Sequence, residues 1–216
     1  MSKTTIPTGG ITADAINGTL IADDAIDSEH YTDGSIDTAH IGDSQVTSAK
    51  TSGVGGLAEY DQWRTTADAE FNGAGRHYVT ANWERDDNGE FEKIGTGLSE
   101  SSGVFSFPST GKYEITWFAR YTNREGSTNR AMVYIFPEIS VTTNDSSYGV
   151  RAGGSISNDD AGAEYYLGCQ TTLLFDVTNT STHKFKVGMY QANGTTVKGN
   201  TSTQYTYIFV KKIGDT

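Results

Sequence analysis

The chain has 216 residues and a formal net charge of −11, with 27 Asp and Glu against 16 Lys and Arg. That length holds one domain of ordinary size plus an appendage. The acidity argues against sequence-independent nucleic-acid binding, which relies on Lys and Arg to displace counterions, and the single cysteine, Cys169, excludes an intrachain disulfide framework.

Residues 1–50 place an apolar side chain at every fifth position: Ile6, Ile11, Ile16, Ile21, Ile26, Tyr31, Ile36, Ile41 and Val46. Five is neither the helical period of 3.6 nor the strand period of 2, so the segment reads as a repeat. The residues between are almost all Thr, Ala, Asp, Gly, Ser and Asn, and no Lys or Arg occurs between Thr4 and Ala49. Burying one Ile contributes roughly 1.5–3 kcal/mol, whereas ordering each backbone residue costs roughly 1–2 kcal/mol. One Ile per five residues cannot order a lone chain. The segment is therefore either disordered or held by other chains that bring their own Ile side chains to a shared axis, and the second reading is preferred. Short extended pieces alternating with bends are expected, with turns at Asn17-Gly18 and Asp33-Gly34. Glycine does not recur every third residue, which excludes collagen. The period and composition exclude a coiled coil.

Residues 51–60, TSGVGGLAEY, read as a glycine-rich hinge. From 61 to 216, aromatic and β-branched residues rise and short strands are expected between loops rich in Gly, Asn and Ser. Lys112 to Tyr121 alternates with Tyr113, Ile115, Trp117, Ala119 and Tyr121 on one face. Ala131–Ser140, Thr171–Thr178, Lys184–Tyr190 and Tyr205–Lys211 continue the pattern, the last with Tyr205, Tyr207 and Phe209 opposite Thr206, Ile208 and Val210. No convincing amphipathic helix is found, which calls for a β-sandwich or barrel.

The stretch Gly103-Val-Phe-Ser-Phe-Pro, followed by Gly111-Lys-Tyr113 and an alternating strand, resembles the signature of the complement globular-head and tumour-necrosis-factor jelly rolls. The closing Tyr205-Thr-Tyr-Ile-Phe-Val is similar to the aromatic last strand of those domains. Asn82-Trp83-Glu84, Ile94-Gly-Thr-Gly-Leu98 and Ser101-Ser-Gly103 resemble jelly-roll heads of structural proteins from marine bacteriophages, and Gly34-Ser-Ile-Asp-Thr-Ala-His-Ile41 and Gln45-Val-Thr-Ser-Ala-Lys50 resemble phage tail-fibre repeats. The resemblance implies an all-β protein: an extended trimeric repeat shaft followed by a jelly-roll β-sandwich head. It implies a homotrimeric virion fibre assembled in a host cytoplasm. The shaft would contact other virion proteins, and the head would bind a host surface glycan or protein. A capsid head fibre or decoration protein is the alternative, and a non-virion glycan-binding module a more distant one. The nine period-five residues are the expected trimer axis. Tyr113, Trp117, Tyr205, Tyr207 and Phe209 are the expected head core or trimer contact.

No cofactor and no metal is expected. His30 and His40 read as solvated side chains, and Asp86-Asp87-Asn88-Gly89-Glu90 as a solvated turn that lacks the full spacing of a calcium loop. With no Gly-x-Ser-x-Gly elbow and no His-Glu-x-x-His, the chain is not expected to be an enzyme. Cys169 reads as a small buried residue. Arg76, His77, Arg85, Arg120, Arg124 and Arg130 either dock acidic glycans from loops or balance a negative surface. Met1-Ser-Lys-Thr-Thr5 leads into no apolar run, and no stretch approaches the roughly 18–20 apolar residues that span a bilayer, so neither a signal peptide nor membrane insertion is expected.

The axial reading makes Ile21→Asp disruptive. It would force three carboxylates into an apolar axis without partners. The variant should lose its trimer in sedimentation or light scattering, and an unchanged trimer would overturn the assignment.

Overall fold

The computed structural model divides into two compact units, Met1–Gly55 and Gly56–Thr216. It describes residues 57–85, 93–123, 133–158 and 166–216, and most of 7–46, leaving out 8, 13–14, 17–18, 23–24, 37–38 and 43–44.

In the first unit the repeat is built from turns. Each described turn starts on the residue after the apolar one, and the N–H three residues later donates back to its carbonyl. The bonds are Gly10 to Pro7, Ala15 to Thr12, Ala25 to Ala22, His30 to Asp27, Ser35 to Thr32 and Gln45 to Gly42, at 2.8–3.2 Å. One pentad is thus one apolar residue followed by one four-residue turn. Gly9 and Gly34 take the third turn position with φ of +86° and +78°, the left-handed backbone a type II turn requires there. The expected bend at Asp33-Gly34 is present, closed by the Ser35 N–H on the Thr32 carbonyl. Turns also close over Thr12–Ala15, Ala22–Ala25 and Gly42–Gln45, which carry no such dipeptide, while Asn17-Gly18 lies outside the described residues.

The second unit is a sandwich of two antiparallel sheets. Its strands, in chain order, are β1 (Tyr60–Thr65), β2 (Ala69–Phe71), β3 (Gly75–Tyr78), β4 (Trp83–Arg85), β5 (Ser99–Ser101), β6 (Val104–Ser106), β7 (Gly111–Asn123), β8 (Val133–Thr142), β9 (Gly149–Gly153), β10 (Ile156–Asn158), β11 (Tyr166–Val177), β12 (Lys184–Gln191), β13 (Thr195–Val197) and β14 (Tyr207–Gly214). In the first sheet β11 runs along one edge of β7, while β14 and β13 share the other; β1 and then β4 follow β14, and β2 follows β13. In the second, β12 lies between β8 on one side and β6 and β3 on the other. β5 extends from β6, and β9 and β10 from β8. Strand pairing begins at Tyr60, inside the stretch read as hinge.

The facing sides of the sheets make one core. Tyr113, Ile115, Trp117, Ala119 and Tyr121 of β7 are all buried, as alternation on a half-buried strand requires. Against them pack Phe105, Phe107, Ile139, Phe185, Val187 and Met189. Phe105 stacks on Phe185 at 5.0 Å between centroids, and Trp83 meets Phe105 edge-on at 5.1 Å. Trp117 satisfies its buried indole by donating to the Gly188 carbonyl at 3.1 Å. The β5–β6 hairpin turns on Ser102 and Gly103, both at positive φ (52° and 78°), the two-residue loop whose twist matches its strands. A Cβ on Gly103 would come within 2.4 Å of the Val79 carbonyl, so this position takes glycine for space as well as for φ.

Asp61, buried on β1, anchors the β1–β4 end. Its carboxylate accepts both Arg85 donors (2.9 and 3.0 Å), the Trp63 indole (3.0 Å) and the Leu98 N–H (2.7 Å). Asp61→Ala would leave Arg85 without its carboxylate and strand the other donors. It should destabilise the head by about 3–5 kcal/mol, read from the shift of the urea midpoint.

Candidate functional site

Two surfaces present apolar side chains in regular array. The first is the repeat. Ile11, Ile16, Ile21, Ile26, Tyr31, Ile36, Ile41 and Val46 are between 36% and 53% exposed on the single chain. Ile6 lies outside the described residues. Scattered surface leucines need no explanation, but a series of half-exposed apolar side chains at constant spacing stands out from an ordinary surface.

The second surface is the outer face of the β11–β7–β14–β1 sheet. Register sets its rows. Gln170, Phe118, Tyr207 and Arg64 lie side by side, then Thr172, Thr116, Phe209 and Gln62, then Leu174, Glu114, Lys211 and Tyr60. An aromatic ladder crosses these rows. Phe118 stacks on Tyr207 at 5.0 Å, Tyr207 on Phe209 at 4.5 Å, and Phe209 meets Tyr60 at 6.2 Å. Burial among these rings pushes the Tyr207 phenol above its ordinary value. Beyond the ladder Arg120 is held between two phenol rings, 4.4 Å from the Tyr166 centroid and 4.5 Å from that of Tyr205. Gly168 makes room, since a Cβ there would lie 2.8 Å from the tip of the Phe118 ring. Tyr166 and Leu174 remain 50% and 66% exposed at the rim.

The five aromatic residues singled out from the head sequence therefore separate into two groups. Tyr113 and Trp117 point into the sandwich, with Tyr113 bonded to Ser109 through its hydroxyl (3.1 Å to the carbonyl). Tyr205, Tyr207 and Phe209 sit half-buried on the opposite side of that sheet. Phe118, Tyr166 and Gly168 complete the ladder and were not foreseen, and Arg120, read from the sequence as a glycan-docking or charge-balancing residue, is stacked beside it. The alternation of β7 already placed 118 and 120 opposite the core, and a glycine inside a strand signals close approach.

Arg76, Arg85 and Arg120, read as loop residues, lie in strands β3, β4 and β7 and are engaged. Arg76 forks onto Glu138 (2.6 and 3.2 Å), which raises its affinity for its proton; Arg85 forks onto Asp61, and Arg120 is stacked. Arg124, Arg130 and the Asp86–Glu90 run lie outside the described residues. His30 is exposed and pairs with Asp27 at 2.7 Å. Among the described residues no group of three or more His, Cys, Asp or Glu is placed to hold a metal, and no helix is long and apolar enough to cross a membrane.

No family model matches the sequence, and no curated protein matches it. The fold does find likenesses among solved structures. The Eiger TNF of S. frugiperda superposes with a TM-score of 0.54 at 10% identity, covering 74% of this chain and 96% of that one. Murine APRIL, in a crystal at pH 8.0, gives 0.47 at 13% identity, covering 72% and 98%. The head is a jelly roll of tumour-necrosis-factor type, a likeness of fold.

Cys169 is half-buried on the inner side of β11 rather than fully enclosed. Burial pushes its thiol above the ordinary value, with carbonyl contacts from Gln170 and Ser155 opposing. A raised pKa means less thiolate at a given pH. Reaction with a disulfide reagent at pH 8 should therefore be slower than for an unstructured cysteine peptide, with the gap closing as pH rises towards 10. Equal rates at pH 8 would contradict this placement.

Proposed function

We propose that the protein is a homotrimeric phage virion fibre: the repeat forms a shaft that joins the particle, and the jelly-roll heads bind a host surface receptor. The period-five stripe carries this reading. Eight described apolar side chains recur every fifth residue, all exposed on a lone chain, and six hydrogen-bonded turns lie between positions of this series. Three parallel copies would set three such side chains in each layer around an axis, and each buried Ile would contribute roughly 1.5–3 kcal/mol. The ladder of Phe118, Tyr207 and Phe209 supplies a second apolar surface, one per head, that a trimer would cover. The resemblance of the head motifs to complement and tumour-necrosis-factor jelly rolls supports the threefold arrangement.

The role is binding, without turnover. Three identical heads on one stalk convert weak single contacts into strong attachment, because the second and third contacts form at high effective concentration. The phage assignment rests on the order of the two motif sets, tail-fibre-like repeat then jelly-roll head.

Light scattering tests the assembly. The full chain should give a mass near three times 23.3 kDa. A truncated chain beginning at Ser52 would report whether the head ladder trimerises alone. A full-length monomer across the micromolar range would overturn the fibre.

A further inference from the structure

On the sheet that carries β12, the outward face holds a trough of about 560 Å3. Its floor is set by register: Ser99 lies opposite Ser106, and Ser106 opposite Lys184, with Ser101 next along β5. Its wall is the loop between β8 and β9. That loop is stiff, since the Asn144 side-chain oxygen accepts from the Ser146 and Ser147 N–H groups (3.1 and 2.9 Å) and from the Thr142 hydroxyl (2.9 Å). The loop carries Tyr148, half-buried, to the edge of the trough.

The charges in the trough are unequal in availability. Lys184 is tied to Asp145 at 2.5 Å, and Glu100 accepts the Gly103 N–H at 2.6 Å. Asp145 is thus paired with a cation, while Glu100 is held in place by a backbone N–H. Lys186 has no carboxylate partner among the described residues. Its ammonium lies over aromatic rings instead, 4.0 Å from the centroid of Tyr148 and 5.6 Å from that of Tyr78. A cation poised on aromatic faces beside three serine hydroxyls offers charge, a stacking plane and hydrogen-bonding oxygens together.

We infer that this trough is a subsite for an acidic saccharide. A sugar carboxylate would pair with Lys186, a pyranose face would lie on Tyr148, and ring hydroxyls would bond to Ser99, Ser101 and Ser106. Hydroxyls dominate the floor and large apolar anchors are lacking there, which favours a glycan over a peptide. The net charge of −11 disfavours a dense polyanion such as nucleic acid, so the ligand is a glycan with spaced carboxylates. The inference rests on reading the head as adhesive, and it names the ligand class of that adhesion.

Calorimetric titration of the full chain with a glucuronate–N-acetylglucosamine tetrasaccharide tests it, with the neutral N-acetylglucosamine tetramer alongside. The acidic sugar should bind with a dissociation constant on the order of 1 mM per head, and the neutral one at least fivefold more weakly. Lys186→Gln and Tyr148→Ala should each weaken the acidic sugar at least fivefold, with melting temperature and scattering mass unchanged. Arg151→Gln removes another cation that has no carboxylate partner among the described residues, outside the trough, and should leave the titration as it was. No binding of the acidic sugar, equal binding by Lys186→Gln, or an equal loss in Arg151→Gln would overturn the subsite. A trimer that fails to bind removes the subsite and keeps the fibre. A monomer that binds does the reverse.

Discussion

Everything in the head depends on β7 having two working faces. A strand sends alternate side chains to opposite sides, and in most half-exposed sheets one of those sides is simply solvated. Here Tyr113, Ile115, Trp117, Ala119 and Tyr121 fill the sandwich, while Thr116, Phe118 and Arg120 look outwards into an ordered array. β11 and β14 pair along its two edges, so their register carries the array across three strands. A slip of one residue in the β14 pairing would turn Tyr207 and Phe209 towards the core and Ile208 and Val210 out of it. The same register therefore fixes both the stability of the fold and the composition of its outer surface.

The two units meet the demand for burial in different ways. The head closes a core from its own chain, with Trp117, Phe105 and Phe185 fully enclosed. The repeat spends four residues on each turn and leaves the fifth side chain exposed. The backbone bonds that close its described turns are local, each spanning three residues. In the proposed trimer the order of such a segment would be coupled to association, and its stability would depend on the concentration of its partners.

The long elements were legible because their periods were clean. The series from Ile6 to Val46 announced a repeat, and the alternation over Lys112–Tyr121 gave β7 and its inward face directly. The strand read at Thr171–Thr178 proved longer, because Tyr166 to Gln170 pairs with β7 despite a glycine and few apolar residues. β2, β3, β4, β5 and β13 were not legible. They are three or four residues long and rich in Glu, Arg, Ser and Thr, too short to show a period; β3 and β13 lie along edges of the longer β12 and β7, while β2 and β5 pair only with the short strands β13 and β6. The sandwiching of Arg120 between Tyr166 and Tyr205 was equally hidden, since it joins residues whose proximity only the sheet creates. The trough beside Lys186 has the same origin, with its residues drawn from three strands and a loop.

A segment in which one hydrogen-bonded turn closes for each apolar residue also has a grain. Adding or deleting five residues returns every later side chain to its former place in a turn, whereas a change of one or two throws the whole remaining series out of phase. The reach of such a segment can therefore be altered by five-codon duplications or losses that touch no other part of the molecule. Its length is a parameter that small genetic events can tune independently of the head.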